Sequence, residues 1–197
     1  MLQILRQIAR TGIKTDALPE PDLERVVASR LHDKILATLG RALTIRQVDA
    51  GSCNGCELEI HALANPYYNI EGRGIRFVAS PRHADLLLVT GPVSKHMAIA
   101  LVRTYDATPD PKLVVAVGDC GCTGGIFGES YASLGRVGNV IPVDVEIPGC
   151  PPTPTALLSG ILAAITARPP EARRDDARGD NDARGDDDAQ TGEPPQP

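Results

Sequence analysis

Leu86-Leu87-Leu88-Val89 and Leu113-Val114-Val115-Ala116-Val117 are short, wholly apolar stretches of this 197-residue chain. Each stops at a turn, Thr90-Gly91-Pro92 and Gly118-Asp119-Cys120. Runs this short have the length of strands, and a strand with no polar residue is buried on both faces, as in a parallel sheet covered by helices. Ile75-Arg76-Phe77-Val78 and Ile141 to Ile147 read as two further strands, the second ending at Pro148-Gly149-Cys150. Ser94 to Thr104 and Thr153 to Ala167 can serve as crossover helices. Strand alternating with helix predicts an α/β fold built on an open, mostly parallel sheet.

Residues 1–46 read as an N-terminal helical extension. Leu23, Val26, Val27, Leu31, Ile35, Leu36 and Leu39 recur at three- and four-residue intervals, and Pro19 and Pro21 mark where the helix begins. That apolar stripe either packs on the chain's own core or docks on a partner subunit. Residues 47–167 form the α/β domain. Residues 168–197 are expected to be a disordered acidic tail, with five Arg, nine acidic residues and the repeat Asp-Ala-Arg-Gly-Asp at 176–180 and 182–186. It has almost no large apolar side chain with which to offset the entropy of ordering. The folded part is nearly neutral. With a net charge of −5, 3% aromatics and no Trp, neither phosphate binding nor base stacking is supported, so no nucleic-acid partner is expected. Met1 to Arg10 lacks the apolar run of a signal peptide, and no stretch reaches the ~20 apolar residues of a membrane span. The expected compartment is cytosolic and reducing.

In such a compartment clustered cysteines read as metal ligands or redox centres. There are five: Cys53, Cys56, Cys120, Cys122 and Cys150. Cys53 and Cys56 make a C-x-x-C. Cys120 and Cys150 each follow an apolar strand. Loops after the C-terminal ends of parallel strands converge on one crevice, so at least three of these thiols should meet at one edge of the sheet. Four thiolates at one point hold zinc or an iron–sulfur cube. Structural zinc usually takes two close pairs, whereas here one pair joins two distant single cysteines, which favours the larger cluster. Glycines 51, 55, 118, 121, 124, 125 and 149 surround the sites and let backbone N–H groups approach cluster sulfurs. Cys122, two residues past Cys120, is read as a free thiol beside the site, with competition for the same iron as the other reading.

Several stretches carry a resemblance: Cys-Asn-Gly-Cys-Glu-Leu-Glu at 53–59, Ser-Pro-Arg-His-Ala-Asp-Leu-Leu-Leu-Val-Thr-Gly-Pro-Val at 80–93, Gly-Asp-Cys at 118–120, Gly-Gly-Ile-Phe at 124–127, and Val-Asp-Val-Glu-Ile-Pro-Gly-Cys-Pro-Pro-Thr-Pro at 143–154. From about Arg46 to Ile165 the chain resembles the family that unites the small subunit of nickel–iron hydrogenases with the B-type, 20 kDa subunit of respiratory complex I. The resemblance implies a flavodoxin-like sheet with the cluster at the C-terminal ends of its strands. It implies one 4Fe–4S cluster on Cys53, Cys56, Cys120 and Cys150. Complex I subunits usually have adjacent cysteines at the first site; Asn54 and Gly55 separate them here, as in hydrogenases. Export-type small subunits carry two more clusters and a twin-arginine signal, and five cysteines cannot hold three clusters. What remains resembles the short small subunits of energy-converting hydrogenases, of the formate hydrogenlyase and hydrogenase-4 type.

The implied function is electron transfer to or from the nickel–iron site of a partner large subunit, with no catalysis by this chain alone. Further partners would be a ferredoxin-like iron–sulfur subunit and membrane-embedded subunits, placing the chain peripherally on the cytoplasmic side of the inner membrane. The competing readings are a quinone-reducing complex I subunit and a zinc-stabilised α/β binding module. Glu59 matches an acid of the family, which implies a redox-linked proton or hydrogen-bond role; the plainer reading is a carboxylate at a helix N-terminus. Arg82 and Asp85 are expected to pair at a subunit interface. His83 reads as structural, and His61 and His96 have no motif support.

Overall fold

The structure is a computed structural model. It describes residues 23–167, with Arg6 and Arg10. The tail from Arg168 and the segment before Leu23 lie otherwise outside the described residues.

Five strands form one sheet: β1 (Leu43–Asp49), β2 (Ile75–Phe77), β3 (Leu86–Thr90), β4 (Leu113–Val117) and β5 (Val145–Ile147), in the order β2-β1-β3-β4-β5. Every pairing is parallel. This is the flavodoxin-like order, whose chain reverses direction across the sheet between β1 and β3. All five residues of β3 and all five of β4 are buried, as their unbroken apolar runs require.

Among the described residues, five helices cover the two faces: α1 (Leu23–Leu39), α2 (Gly55–Ala62), α3 (Lys95–Ala107), α4 (Gly118–Thr123) and α5 (Pro154–Ala167). On one face Leu31 and Ile35 of α1, Ile60 of α2, and Leu157, Leu158, Ile161 and Ile165 of α5 pack on Ile45, Leu86, Leu88, Val115 and Val117. On the other, Leu101 of α3, Cys122 of α4, Val137 and Ile141 pack on Leu87, Val89, Val114 and Ala116. The stripe on α1 therefore serves the chain's own core, and α1 lies against α5. Leu36 is left exposed.

Three elements differ from the reading of the sequence, the first being α4, a helix over Gly118–Thr123 where a turn was read. β1 was not anticipated, and it straddles position 46. Its core positions Leu43, Ile45 and Val48 are interrupted by half-buried Thr44, Arg46 and Gln47, which blur the period of two. The last strand covers only Val145–Ile147, and Ile141 packs on the opposite face of the sheet from Ile147. Asp144 sets where pairing begins: its N–H donates to the Val114 carbonyl at 2.9 Å, and its carboxylate accepts the Val114 N–H at 2.8 Å.

Asp85 does not pair with Arg82. It makes a two-pronged ion pair with Arg41, at 2.6 and 2.9 Å, and also accepts from the N–H and hydroxyl of Thr44. The bond belongs to the fold: it ties the residues before β1 to the start of β3, while Arg82 stays exposed.

Candidate metal centre

Three strands end at the same edge and each leads into a cysteine. β1 runs into Cys53 and Cys56, β4 into Cys120, and β5 into Cys150. Cys53 and Cys150 are exposed, and Cys56 and Cys120 half-buried. Burial pushes the Cys56 thiol up from 9.0 to about 12, assisted by Glu57 and then by Cys53, Cys120 and Cys150. Burial also raises the Cys120 thiol, with further contributions from Cys150, Cys53 and Asp119. Cys53 and Cys150 thus lie near enough to raise both Cys56 and Cys120.

Backbone without side chains makes this approach possible. A Cβ on Gly118 would lie 2.6 Å from the Cys56 sulfur, and one on Gly125 would lie 2.7 Å from the Cys120 sulfur. Gly118 also has φ +81°, a conformation that L side chains rarely adopt. Gly118 is therefore the junction where the end of β4 meets the β1 loop.

The Cys120 and Cys150 loops are tied to each other by a reciprocal pair. The Asp119 N–H donates to the Gly149 carbonyl at 2.9 Å, and the Gly149 N–H donates to the Asp119 carboxylate at 2.7 Å. The Cys53 loop is shaped locally: the Asp49 carboxylate accepts the N–H groups of Gly51 and Ser52, both at 2.8 Å. Asn54 then enters α2 in the left-handed region, at φ 72°.

Cys122 takes no part in this gathering. It is 4% exposed and lies in the core of the opposite face, its thiol 3.7 Å from the Ala116 carbonyl. Burial and then Glu146 raise it to about 11, and none of the other four thiols contributes. A six-residue helix explains the split, since positions two apart on a helix point to different sides.

Glu59 is half-exposed on α2. The buried acid is Glu57, at 6% exposure, whose Oε1 is hydrogen-bonded to the Thr90 hydroxyl. Among the described residues its Oε2 has no hydrogen-bond partner. Reading the sequence missed Glu57, because a carboxylate next to a motif cysteine looks solvated until Thr90 is placed beside it. His61 and His83 are exposed, and His96 is exposed at the start of α3. Among the described residues no helix is long and apolar enough to cross a membrane.

Residues 53–164 match the family described as NADH ubiquinone oxidoreductase, 20 Kd subunit. The chain is 42% identical over 151 residues to formate hydrogenlyase subunit 7 of Escherichia coli K12, covering 76% of this chain and 59% of that protein. It thus spans less than two thirds of that relative. It is 45% identical over 128 residues to an NADH-quinone oxidoreductase subunit of Desulfovibrio desulfuricans, covering 64% of this chain and 68% of that one. Among solved structures, a chain of the membrane-bound sulfane sulfur reductase, an archaeal respiratory membrane complex, aligns with a TM-score of 0.59 and 31% identity, over 79% of this chain and 90% of that one. With the family's model matching more than half of its length, the chain belongs to the family of the complex I 20 kDa subunit, which hydrogenases and NADH-quinone oxidoreductases share for electron transfer.

Proposed function

We propose that this chain is an electron-transfer subunit that holds one 4Fe–4S cluster on Cys53, Cys56, Cys120 and Cys150, and that it relays electrons to or from the nickel–iron site of a partner large subunit in a membrane-bound hydrogenase. The observation that supports this reading is geometric: Cys53 and Cys56, Cys120, and Cys150 follow the ends of β1, β4 and β5 at one edge of the sheet, with Gly118 against the Cys56 sulfur. Family members bind iron–sulfur clusters in general, and the donor set here is all sulfur. One close pair joined to two distant single cysteines suits a wide group with an iron at each corner better than structural zinc, which usually takes two close pairs.

When bound, the cluster supplies a one-electron store whose potential its surroundings tune. The residues of the chain build those surroundings. Gly118 and Gly125 keep backbone close to Cys56 and Cys120. The Asp119–Gly149 pair holds the two distant thiols in register. Raised thiols arrive protonated, so loading the site releases protons. Leu58, Ile126, Phe127 and Tyr131 are exposed apolar side chains close in chain to the cysteines, and they offer the large subunit a surface. A ferredoxin-like subunit would exchange electrons with the chain, and membrane-embedded subunits would hold the complex at the cytoplasmic face of the inner membrane. Glu59, half-exposed on α2, is the proposed redox-linked acid at that surface.

The likeness to an NADH-quinone oxidoreductase subunit favours a second reading, a quinone-reducing complex. The Cys53-Asn54-Gly55-Cys56 spacing opposes it. Anaerobic purification of the full chain with its partners, followed by iron, sulfide, nickel and zinc analysis, separates the two. About four irons and four sulfides per chain are expected, with nickel in a copurified large subunit. Iron and sulfide without nickel would support the quinone reading. Colourless, zinc-loaded protein would refute both, and a full cluster in Cys150→Ser without a replacement ligand would refute the assignment of the four ligands.

A further inference from the structure

We propose that Thr90 and Glu57 form a positioning strut that closes the Cys53–Cys56 loop over the end of β3 and so holds Cys56 for the cluster. This rests on the cluster reading above. Thr90 is the last residue of β3 and is fully buried. Its carbonyl accepts the Ala50 N–H at 3.0 Å, three residues before Cys53. Its hydroxyl bonds Oε1 of Glu57, the residue after Cys56. One residue therefore grips the loop before its first cysteine and after its second. Between the two grips the loop lies directly on the strand end, where a Cβ on Gly91 would come 2.5 Å from the Ser52 nitrogen.

Packing alone does not explain a carboxyl here. Glu57 is 94% removed from solvent, and one of its oxygens has no partner among the described residues. Burying such a group opposes folding, and an aliphatic side chain of similar size would suit the site better. Its neighbours on α2 behave differently: Leu58 is exposed and Glu59 half-exposed. The polar residue is inside and the apolar one outside, the reverse of what core formation asks for. The reversal makes sense if the task of Glu57 is to reach Thr90. Groups that orient metal ligands from one shell out carry a large share of a site's affinity. Glu57 and Thr90 touch neither substrate nor partner in this scheme; they act through Cys56.

The test uses the full chain, purified anaerobically, in four single variants, Thr90→Val, Thr90→Ser, Glu57→Leu and Glu57→Gln, and one double variant. Two quantities are read, the rate at which a chelator strips iron and the EPR g-values of the reduced protein. Thr90→Val and Glu57→Leu should each lose iron about tenfold faster than wild type, with shifted g-values, because each removes the orienting bond. Thr90→Ser and Glu57→Gln keep a hydroxyl and a carbonyl oxygen for the bond, and should stay within about twofold of wild type. The double variant, Thr90→Val with Glu57→Leu, should be no worse than either single, since one bond is removed only once. Wild-type rates and g-values in Thr90→Val and Glu57→Leu, in a wild type that holds iron and sulfide, would overturn the strut and leave the cluster standing. A wild type without iron and sulfide would overturn both. If Thr90→Val does not fold, Glu57→Leu against Glu57→Gln decides, and equal rates in those two overturn the strut.

Discussion

The thiols that follow β1 and those that follow β4 and β5 reach the same place by different means. Cys53 and Cys56 share one short loop, shaped by Asp49 at its start and gripped by Thr90 at both ends. Cys120 and Cys150 lie thirty residues apart; they follow the paired strands β4 and β5, and Asp119 and Gly149 tie their loops by bonds in both directions. Closing a longer loop costs more entropy, so distant thiols need a bond that crosses between loops, while close ones need only local geometry. The β1 side is a prefabricated pair; the β4–β5 side is an assembly.

The two sides touch at Gly118, and the largest effect is expected there. Gly118→Ala would put a methyl on the Cys56 sulfur and force an alanine to positive φ. Iron content should fall to background while the far-UV circular dichroism stays native. Retained iron would show that the two halves do not depend on this contact. Asp119→Ala comes next. It leaves the Gly149 N–H unpaired and should cost about 2 kcal/mol in urea unfolding of the metal-free chain. Iron should be lost from the assembled side, and g-values should broaden through disorder at Cys120 and Cys150.

Asp49→Ala should be milder. The β1 loop keeps the Ala50–Thr90 bond and the Ser94–Ala50 bond at 2.8 Å, so about 1 kcal/mol is expected by the same measurement. If Asp49→Ala proves as costly as Asp119→Ala, the contrast between prefabricated and assembled halves is wrong. Titration offers a subtler check. The folded chain holds the Cys56 proton up to about 12, against 9.0 ordinarily. The unfolded chain therefore releases its proton first as pH rises. The stability this thiol contributes is complete below pH 9 and is lost as pH climbs toward 12. The urea midpoint of the metal-free chain should fall between about pH 8.5 and 10.5, less steeply in Cys56→Ser. Equal slopes would contradict the burial of that thiol.

The smallest effect belongs to Cys122→Ser. That thiol faces the opposite core, so iron content and g-values should match wild type. Loss of cluster in this variant, with none in Cys120→Ser, would show that the third ligand had been misassigned.

Much of the fold was legible because burial on both faces leaves an unmistakable mark on short strands. The runs 86–89 and 113–117 became β3 and β4 with little change. β1 was not legible: polar Thr44, Arg46 and Gln47 sit at half-buried positions that only the neighbouring helices define. The placement of the cysteines was readable as well, since parallel strands deliver their following loops to one edge. Their bonds were not. Asp85 chose Arg41, 44 residues away, over nearby Arg82. Glu57 turned inward and Glu59 stayed at the surface, although both follow the same motif.

What the sequence by itself determined was the alternation of apolar strands with helices from β2 onward and that Cys120 and Cys150 follow strands, because periodicity and turn residues are local properties of a chain. Only the tertiary structure decided which polar group faces which. The Thr90 hydroxyl that receives Glu57, the Gly118 backbone that admits the Cys56 sulfur, and the core that takes Cys122 away from Cys120 all come from distant parts of the chain. A buried polar group is governed by the partner that satisfies it, and that partner is set by packing between elements.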